Sequence, residues 1–148
     1  MKGRGMDALR RWWRNGDNLE ARRRDDKADG QPHRQRLGQQ AETLALRHLE
    51  RAGLKRLRRN ARAGRGEIDL ILRDGDTLVF VEVRAREDGA LVSAAESLSA
   101  RKCAKVRETA ERLIASQPAW QGLYCRFDVV AVTTRGAHNH IDWLPDAF

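Results

Sequence analysis

The sequence predicts an α/β domain in the order helix, edge strand, two-stranded hairpin, helix, strand and short terminal strand. Three observations carry that prediction. Within Gly66 to Arg84, two apolar runs are joined by Asp74-Gly75-Asp76-Thr77, the strongest short-range hairpin signal in the chain. Apolar residues recur at helical spacing on both sides of that hairpin. Tyr124 to Thr133 is nearly continuous in apolar residues, as suits a strand in the interior of a sheet.

Taken in order, residues 1–36 mix Arg clusters with Asp, Gly and Gln, and contain few apolar residues beyond Met6, Leu9, Trp12 and Trp13. Such a segment buries too little surface to offset the entropy of ordering it, so 1–36 is expected to be a disordered basic tail and 37–148 the folded domain. Phosphate contacts by the tail, with Trp12 and Trp13 stacking on bases, are its functional reading. An inert extension is the alternative. Leu37, Ala41, Leu44, Ala45, His48, Leu49 and Ala52 place a helix at about residues 38 to 52, stopped by Gly53. Glu42 lies beside that apolar stripe. Leu54 to Ala63 is a basic connection with an edge strand around Lys55 to Arg59, whose charges discourage edge-to-edge pairing. After the hairpin, Ala85 to Val92 reads as a loop and Ser93 to Ala115 as one long helix or two joined ones, ended by Gln117-Pro118. In the following strand Arg126 and Asp128 share a face, which favours a structural ion pair or a sheet-to-helix hydrogen bond over a role in a site. Ile141 to Leu144 is the terminal strand, packing Trp143.

A chain of 148 residues holds one domain plus at most an appendage. It is 41% hydrophobic, enough for a core, and its net charge of +8 favours an anionic partner, most often nucleic acid. Residues 1–36 hold 11 Lys and Arg against 6 Asp and Glu, whereas the remainder holds 18 against 15. Much of the basic character therefore belongs to the tail. Cys103 and Cys125 form neither a CxxC pair nor a disulfide framework, which points to a reducing compartment. His138 and His140 have no third ligand nearby in sequence. No signal peptide or membrane span is recognisable, so a cytoplasmic protein is expected.

Alternation along the hairpin places Ile68, Leu70 and Leu72 on one face, with Glu67, Asp69 and Ile71 on the other. In the second strand Val79, Val81 and Val83 share a face opposite Phe80, Glu82 and Arg84. Pairing the aliphatic faces permits a two-residue loop (Asp74, Gly75), with Asp69 opposite Phe80, or a four-residue loop (Asp74 to Thr77), with Asp69 opposite Glu82. Either register makes the two carboxylates neighbours. At a separation of roughly 6 Å and an effective dielectric of about 20 they repel by about 3 kcal/mol, so a positive partner is required. A divalent cation or Arg84 supplies it.

The helix Gly38 to Leu49 with Glu42 and Ala45, Asn60, GEIDLI at 66–71, VFVEVR at 79–84, Lys102, RFDVV at 126–130 and the final Ala147-Phe148 together resemble the YraN family of bacterial proteins. The resemblance spans about Leu37 to Phe148. That family looks like a distant relative of restriction-endonuclease-like nucleases and archaeal Holliday junction resolvases. It implies a central mixed sheet flanked by helices, and a divalent-metal nuclease site whose residues map onto Glu42, Asp69, Glu82 and Arg84. Asp69 and Glu82, with the Val83 carbonyl, are then ligands for Mg2+ or Mn2+. In those nucleases the position of Arg84 is a Lys. Arginine keeps its proton and can only stabilise charge or bind phosphate, so Lys102 from the following helix is a candidate to replace the strand lysine. The nucleic-acid contacts are assigned to Arg58, Arg59, Arg62, Arg65, Arg101 and Lys105, with DNA as the expected partner. A homodimer is the assembly that related resolvases imply. Two alternatives stay open: a nuclease fold that binds DNA or RNA, or acts as a scaffold, without turnover, and a metal-free face in which Arg84 neutralises Asp69 and Glu82.

Overall fold

A hairpin with aliphatic residues on both faces needs cover on both sides, and one amphipathic helix packs on each. The computed structural model describes residues 31–87 and 98–148. The tail up to residue 30, with Trp12 and Trp13, and residues 88–97 of the expected loop and helix lie outside the described residues. The elements run α1 (Gln31–Arg51), β1 (Lys55–Ala63), β2 (Gly66–Asp74), β3 (Thr77–Glu87), α2 (Ala100–Ala115), a 3-10 turn (Pro118–Trp120), β4 (Tyr124–Arg135) and β5 (His138–Leu144). The sheet order is β1-β2-β3-β4-β5. All neighbours are antiparallel except β3 and β4, which are parallel and joined through α2. The result is the mixed, helix-flanked α/β sheet that the sequence led one to expect.

α1 begins at Gln31, about two turns before the apolar stripe, because the pattern marks only the part of a helix that touches the core. It ends in a Schellman motif: Gly53 N–H donates to Glu50 O (3.0 Å) and Leu54 N–H to Leu49 O (3.1 Å), with Gly53 at φ +101°. Ala41, Ala45, Leu46 and Leu49 of α1 pack on Leu70, Leu72, Val79, Val81, Val130 and Val132. On the opposite face Val106, Ala110 and Leu113 of α2 pack on Ala61, Ile68, Ile71, Leu78 and Phe80. α2 starts at Ala100 because Ser99 caps it, its side chain accepting from Lys102 N–H at 3.2 Å.

The hairpin adopts the register in which Arg73 faces Leu78, which is that of the expected four-residue loop, and an additional Asp74–Thr77 pair closes the turn around Gly75 and Asp76. Strict alternation along β2 does not hold. Ile68 belongs to the core under α2 while Leu70 belongs to the core under α1, although the two are two residues apart. The phase slips between them, at Asp69, and the neighbouring strand slips with it. The β1–β2 ladder resumes from Arg59–Leu70 to Ala61–Ile68, leaving Asn60 across from Asp69 with a left-handed φ of +48°. Asparagine is among the few residues that tolerate this backbone. β1 also extends to Ala63, four residues past the expected edge strand, because its second half packs Ala61 into the core.

Close approach between sheet and helix fixes the start of β2. A side chain at Gly66 would overlap the Thr109 hydroxyl, which is buried and donates to Lys105 O at 2.8 Å. Gly66→Ala is therefore expected to lower unfolding free energy by about 2 kcal/mol, the usual cost of forcing carbon into a packed site. Urea denaturation measures it, and a loss below about 0.5 kcal/mol would show that the sheet and α2 separate freely here.

Candidate metal and nucleic-acid site

The site forms where β2 and β3 part. The last β2–β3 pair is Leu70 with Val81, so Asp69 and Glu82 occupy the next position, beyond the end of the regular ladder. In place of a strand carbonyl, Asp69 Oδ2 accepts the Val83 N–H at 2.8 Å. A strand residue's N–H and C=O project toward the same neighbour, so the Val83 carbonyl is directed to this side as well.

Glu82 is 3% exposed. Its Oε1 lies 3.5 Å from Arg84 Nη2 and 3.4 Å from Lys102 Nζ, so both expected cations reach the same oxygen. The Ser99 cap makes Lys102 the third residue of α2 and thereby brings its side chain over the β3 carboxylate. From the other face, α1 contributes Glu42, whose Oε2 is 3.8 Å from Arg59 Nη2. Arg59 also donates to Thr43 Oγ1 at 3.3 Å. Thus Glu42, Asp69, Glu82, Arg84 and Lys102, drawn from four elements, gather around one break in the sheet.

Electrostatics reflect the crowding. Burial, followed by repulsion from Asp69, pushes the Glu82 pKa up to about 7, against the opposing pull of Lys102 and Arg84. Asp69 is raised by burial, partly offset by the Val83 hydrogen bond. Glu42 is raised by burial and then by Asp69, while the Asn60 side chain acts in the opposite direction.

The fit to a divalent ion can be judged from the oxygens themselves. Glu42 Oε2 and Glu82 Oε2 are buried without a hydrogen-bond partner, as is Arg84 Nε. Among the described residues no three of His, Cys, Asp and Glu converge closely enough to enclose an ion. One or two hard carboxylates completed by water and a substrate oxygen is the donor set Mg2+ commonly uses, so Asp69 and Glu82 fit it. Cys103 and Cys125 are free thiols, and His140 pairs with Asp142 at 3.0 Å.

The pH dependence of folding follows from Glu82. Its folded pKa of about 7 lies above its ordinary value of 4.5, so the folded chain holds the extra proton. The associated stability is fully present below about pH 4.5 and is lost as pH rises through about 7, to the extent of about 3 kcal/mol. Denaturation without added metal is therefore expected to give a more stable protein at pH 5 than at pH 8, and Glu82→Gln should flatten the difference. Equal stability at both pH values in the wild type would contradict a buried, repelled Glu82.

The expected nucleic-acid contacts separate into two groups. Arg65 and Lys105 line one groove between the β1–β2 turn and α2, and Arg101 is one turn before Lys105 on the same flank of that helix. Arg58 instead lies over the Trp120 ring at 5.2 Å, Arg59 turns to Glu42, and Arg62 is paired with Glu67 at 2.6 Å. In the sequence Asn60 stands out only as part of a motif; its signal is a residue poorly suited to a strand inside one. Arg126 and Asp128 lie apart from the carboxylates in a structural network: Asp128, fully buried, accepts from Arg126 Nε and Nη2, Trp143 Nε1 and Asp146 N.

A family model described as "Uncharacterised protein family UPF0102" matches residues 41–132, which include Glu42, Asp69, Glu82, Arg84 and Lys102. The chain belongs to the UPF0102 (YraN) family. It is 47% identical over 112 residues to a UPF0102 protein of Ectopseudomonas mendocina, covering 76% of this chain and 93% of that one. It is 44% identical over 114 residues to one from Stutzerimonas stutzeri, covering 77% and 95%. A UPF0102 protein of Pseudomonas aeruginosa is 45% identical over 113 residues, covering 75% and 90%. The UPF0102 likeness thus spans the domain that carries the site. No helix among the described residues is long and apolar enough to cross a membrane.

Proposed function

We propose that the protein is a divalent-metal-dependent endonuclease that hydrolyses phosphodiester bonds in DNA, with branched or structured DNA as its preferred substrate class. The observation that supports this reading most directly is the gathering of Glu42, Asp69 and Glu82 at a break in the sheet, with two buried carboxylate oxygens that accept no hydrogen bond. Asp69 and Glu82, with the Val83 carbonyl, would hold Mg2+ or Mn2+. Such an ion supplies Lewis acidity toward a phosphoryl group and acidifies water. Arg84, a planar guanidinium suited to bidentate contacts, donates to non-bridging phosphate oxygens. Lys102, reaching the site from α2, stabilises charge on the leaving oxygen in place of a strand lysine. Glu42, its pKa raised by burial, is positioned by α1 to orient the attacking water or a second ion.

One observation favours a second reading. Arg84 and Lys102 both approach Glu82 Oε1, and together they neutralise it without an ion. On that reading the domain binds nucleic acid without turnover. Calorimetric titration of Mg2+ and Mn2+, paired with cleavage assays on linear, flapped and four-way DNA, separates the two. Metal binding with metal-dependent cutting supports the enzyme; DNA binding with neither supports the module; no DNA binding at all leaves a scaffold.

A further inference from the structure

Beside the carboxylates runs a groove of about 410 Å³ that the site chemistry does not use, floored by Ala63, Gly64, Arg65 and Gly66 of the β1–β2 turn and walled by Lys105, Glu108, Thr109 and Arg112 of α2. Three cations line it. Arg112 is paired with Glu108 at 3.0 Å, which cancels the groove's one acid. Arg65 and Lys105 are exposed and make no ion pair among the described residues. Two uncommitted cations therefore face one another across a concave surface. The wall is held close: Gly64 has φ +58°, and a Cβ there would stand 3.2 Å from Arg112 Nη1, so the guanidinium rests against the turn backbone.

The groove's position gives it meaning. Lys105 follows Lys102 by three residues, so their side chains are neighbours about 5–6 Å apart at Cβ. Lys102 contacts Glu82, and the groove therefore begins one helical turn from the carboxylates. Gly66, at its floor, is three residues before Asp69 on the same strand. An extended polyanion running along α2 from Arg101 past the carboxylates meets Lys105 and Arg65, then Arg112.

We propose that this groove holds the sugar-phosphate backbone of the bound nucleic-acid strand, with Arg65 and Lys105 clamping a phosphate next to the one presented to Asp69 and Glu82. The assignment rests on the nucleic-acid reading above and adds where the strand runs. It is independent of whether the strand is cut, because the contacts are electrostatic and need no divalent ion.

The test uses the full chain in EDTA, which separates binding from cleavage. Fluorescence anisotropy of a labelled 20-nucleotide DNA duplex is measured against salt for the wild type and for the double variant Arg65→Glu and Lys105→Glu. The control is Lys55→Glu with Arg73→Glu, an exposed cross-strand pair at the other end of β1 and β2, about 25 Å away along the strands, with the same change of charge. The groove variant is expected to bind at least tenfold more weakly near 0.1 M salt, with the slope of log K against log salt reduced by about 2, and the control to stay within about threefold. Thermal melts establish that both variants fold. Wild-type affinity and slope in the groove variant, or an equal loss in the control, would overturn the assignment. If the wild type binds but the groove variant is unaffected, the groove alone is lost; if the wild type binds no DNA, the parent reading falls with it.

Discussion

Asp69→Asn is expected to make the metal-free protein more stable and, on the proposed nuclease reading, to abolish metal-dependent cleavage. The asparagine oxygen can still accept the Val83 N–H that Asp69 Oδ2 accepts at 2.8 Å, so the junction between β2 and β3 keeps its geometry. What disappears is a charge that burial and its neighbours already penalise, since Asp69 is raised and in turn raises Glu82 and Glu42. Relief of about 3 kcal/mol of repulsion near pH 8 follows for carboxylates about 6 Å apart at intermediate dielectric. If Asp69 is the metal ligand of the proposed nuclease, its loss forfeits several kcal/mol of transition-state stabilisation, or a rate loss of at least about 10³-fold. Calorimetry would record the matching loss of Mg2+ and Mn2+ affinity. Unchanged metal affinity in the variant would remove Asp69 from the ligand set. A variant that is destabilised at pH 8 would show that the carboxylate charge holds the fold together.

The largest expected effect on stability lies elsewhere, at Asp128. Its two oxygens accept four hydrogen bonds, from Arg126 Nε and Nη2 at 2.9 and 3.1 Å, from Trp143 Nε1 at 2.9 Å and from Asp146 N at 2.9 Å. These contacts tie β4 to β5 and to the C-terminal turn, where Ala147 N–H donates to Phe127 O at 2.7 Å and Phe148 packs on Phe127. Asp128→Ala leaves two N–H groups without their acceptor and the Arg126 guanidinium with Asp74 alone, at 3.3 Å, and breaking a buried pair from one side costs about 3–5 kcal/mol. For a domain of this size the midpoint of thermal unfolding should fall by roughly 15 °C or more. Trp143 fluorescence during denaturation follows the change directly. A loss under about 1 kcal/mol would mean that water replaces the carboxylate, and that the C-terminal turn is held by its apolar contacts alone.

These two acids illustrate how differently the sequence speaks about a site and about a scaffold. Arg126 and Asp128 share a strand face two residues apart, so alternation offers their pairing as one of two structural roles, and the structure selects it. Asp69 and Glu82 were readable as neighbours because both registers compatible with the aliphatic faces brought them together. The register itself was not, since parity repeats every two residues; the Asp74–Thr77 pair around Gly75, at φ +57°, selects it in three dimensions. The phase slip at Asp69 was likewise hidden, because it depends on the left-handed backbone of Asn60 in the adjacent strand. Lys102 is expected from the family resemblance, the length of its side chain and its place in the order of elements. Helical spacing fixes which residues share a face but not where the helix docks, and it is the Ser99 cap and the packing of Val106 on the sheet that carry Lys102 to Glu82.

By itself, the sequence determined the order of elements, the hairpin and the need for positive charge between two carboxylates, because each depends on periodicity or on turn residues that act locally. Only the tertiary structure decided which side chains approach those carboxylates. Both Arg84 and Lys102 converge on one oxygen of Glu82 while another oxygen stays unpartnered, and Glu42 arrives from the opposite layer of the sandwich. That outcome is set by how two helices pack on the two faces of a sheet whose strands separate at Asp69, a long-range property that no local pattern encodes.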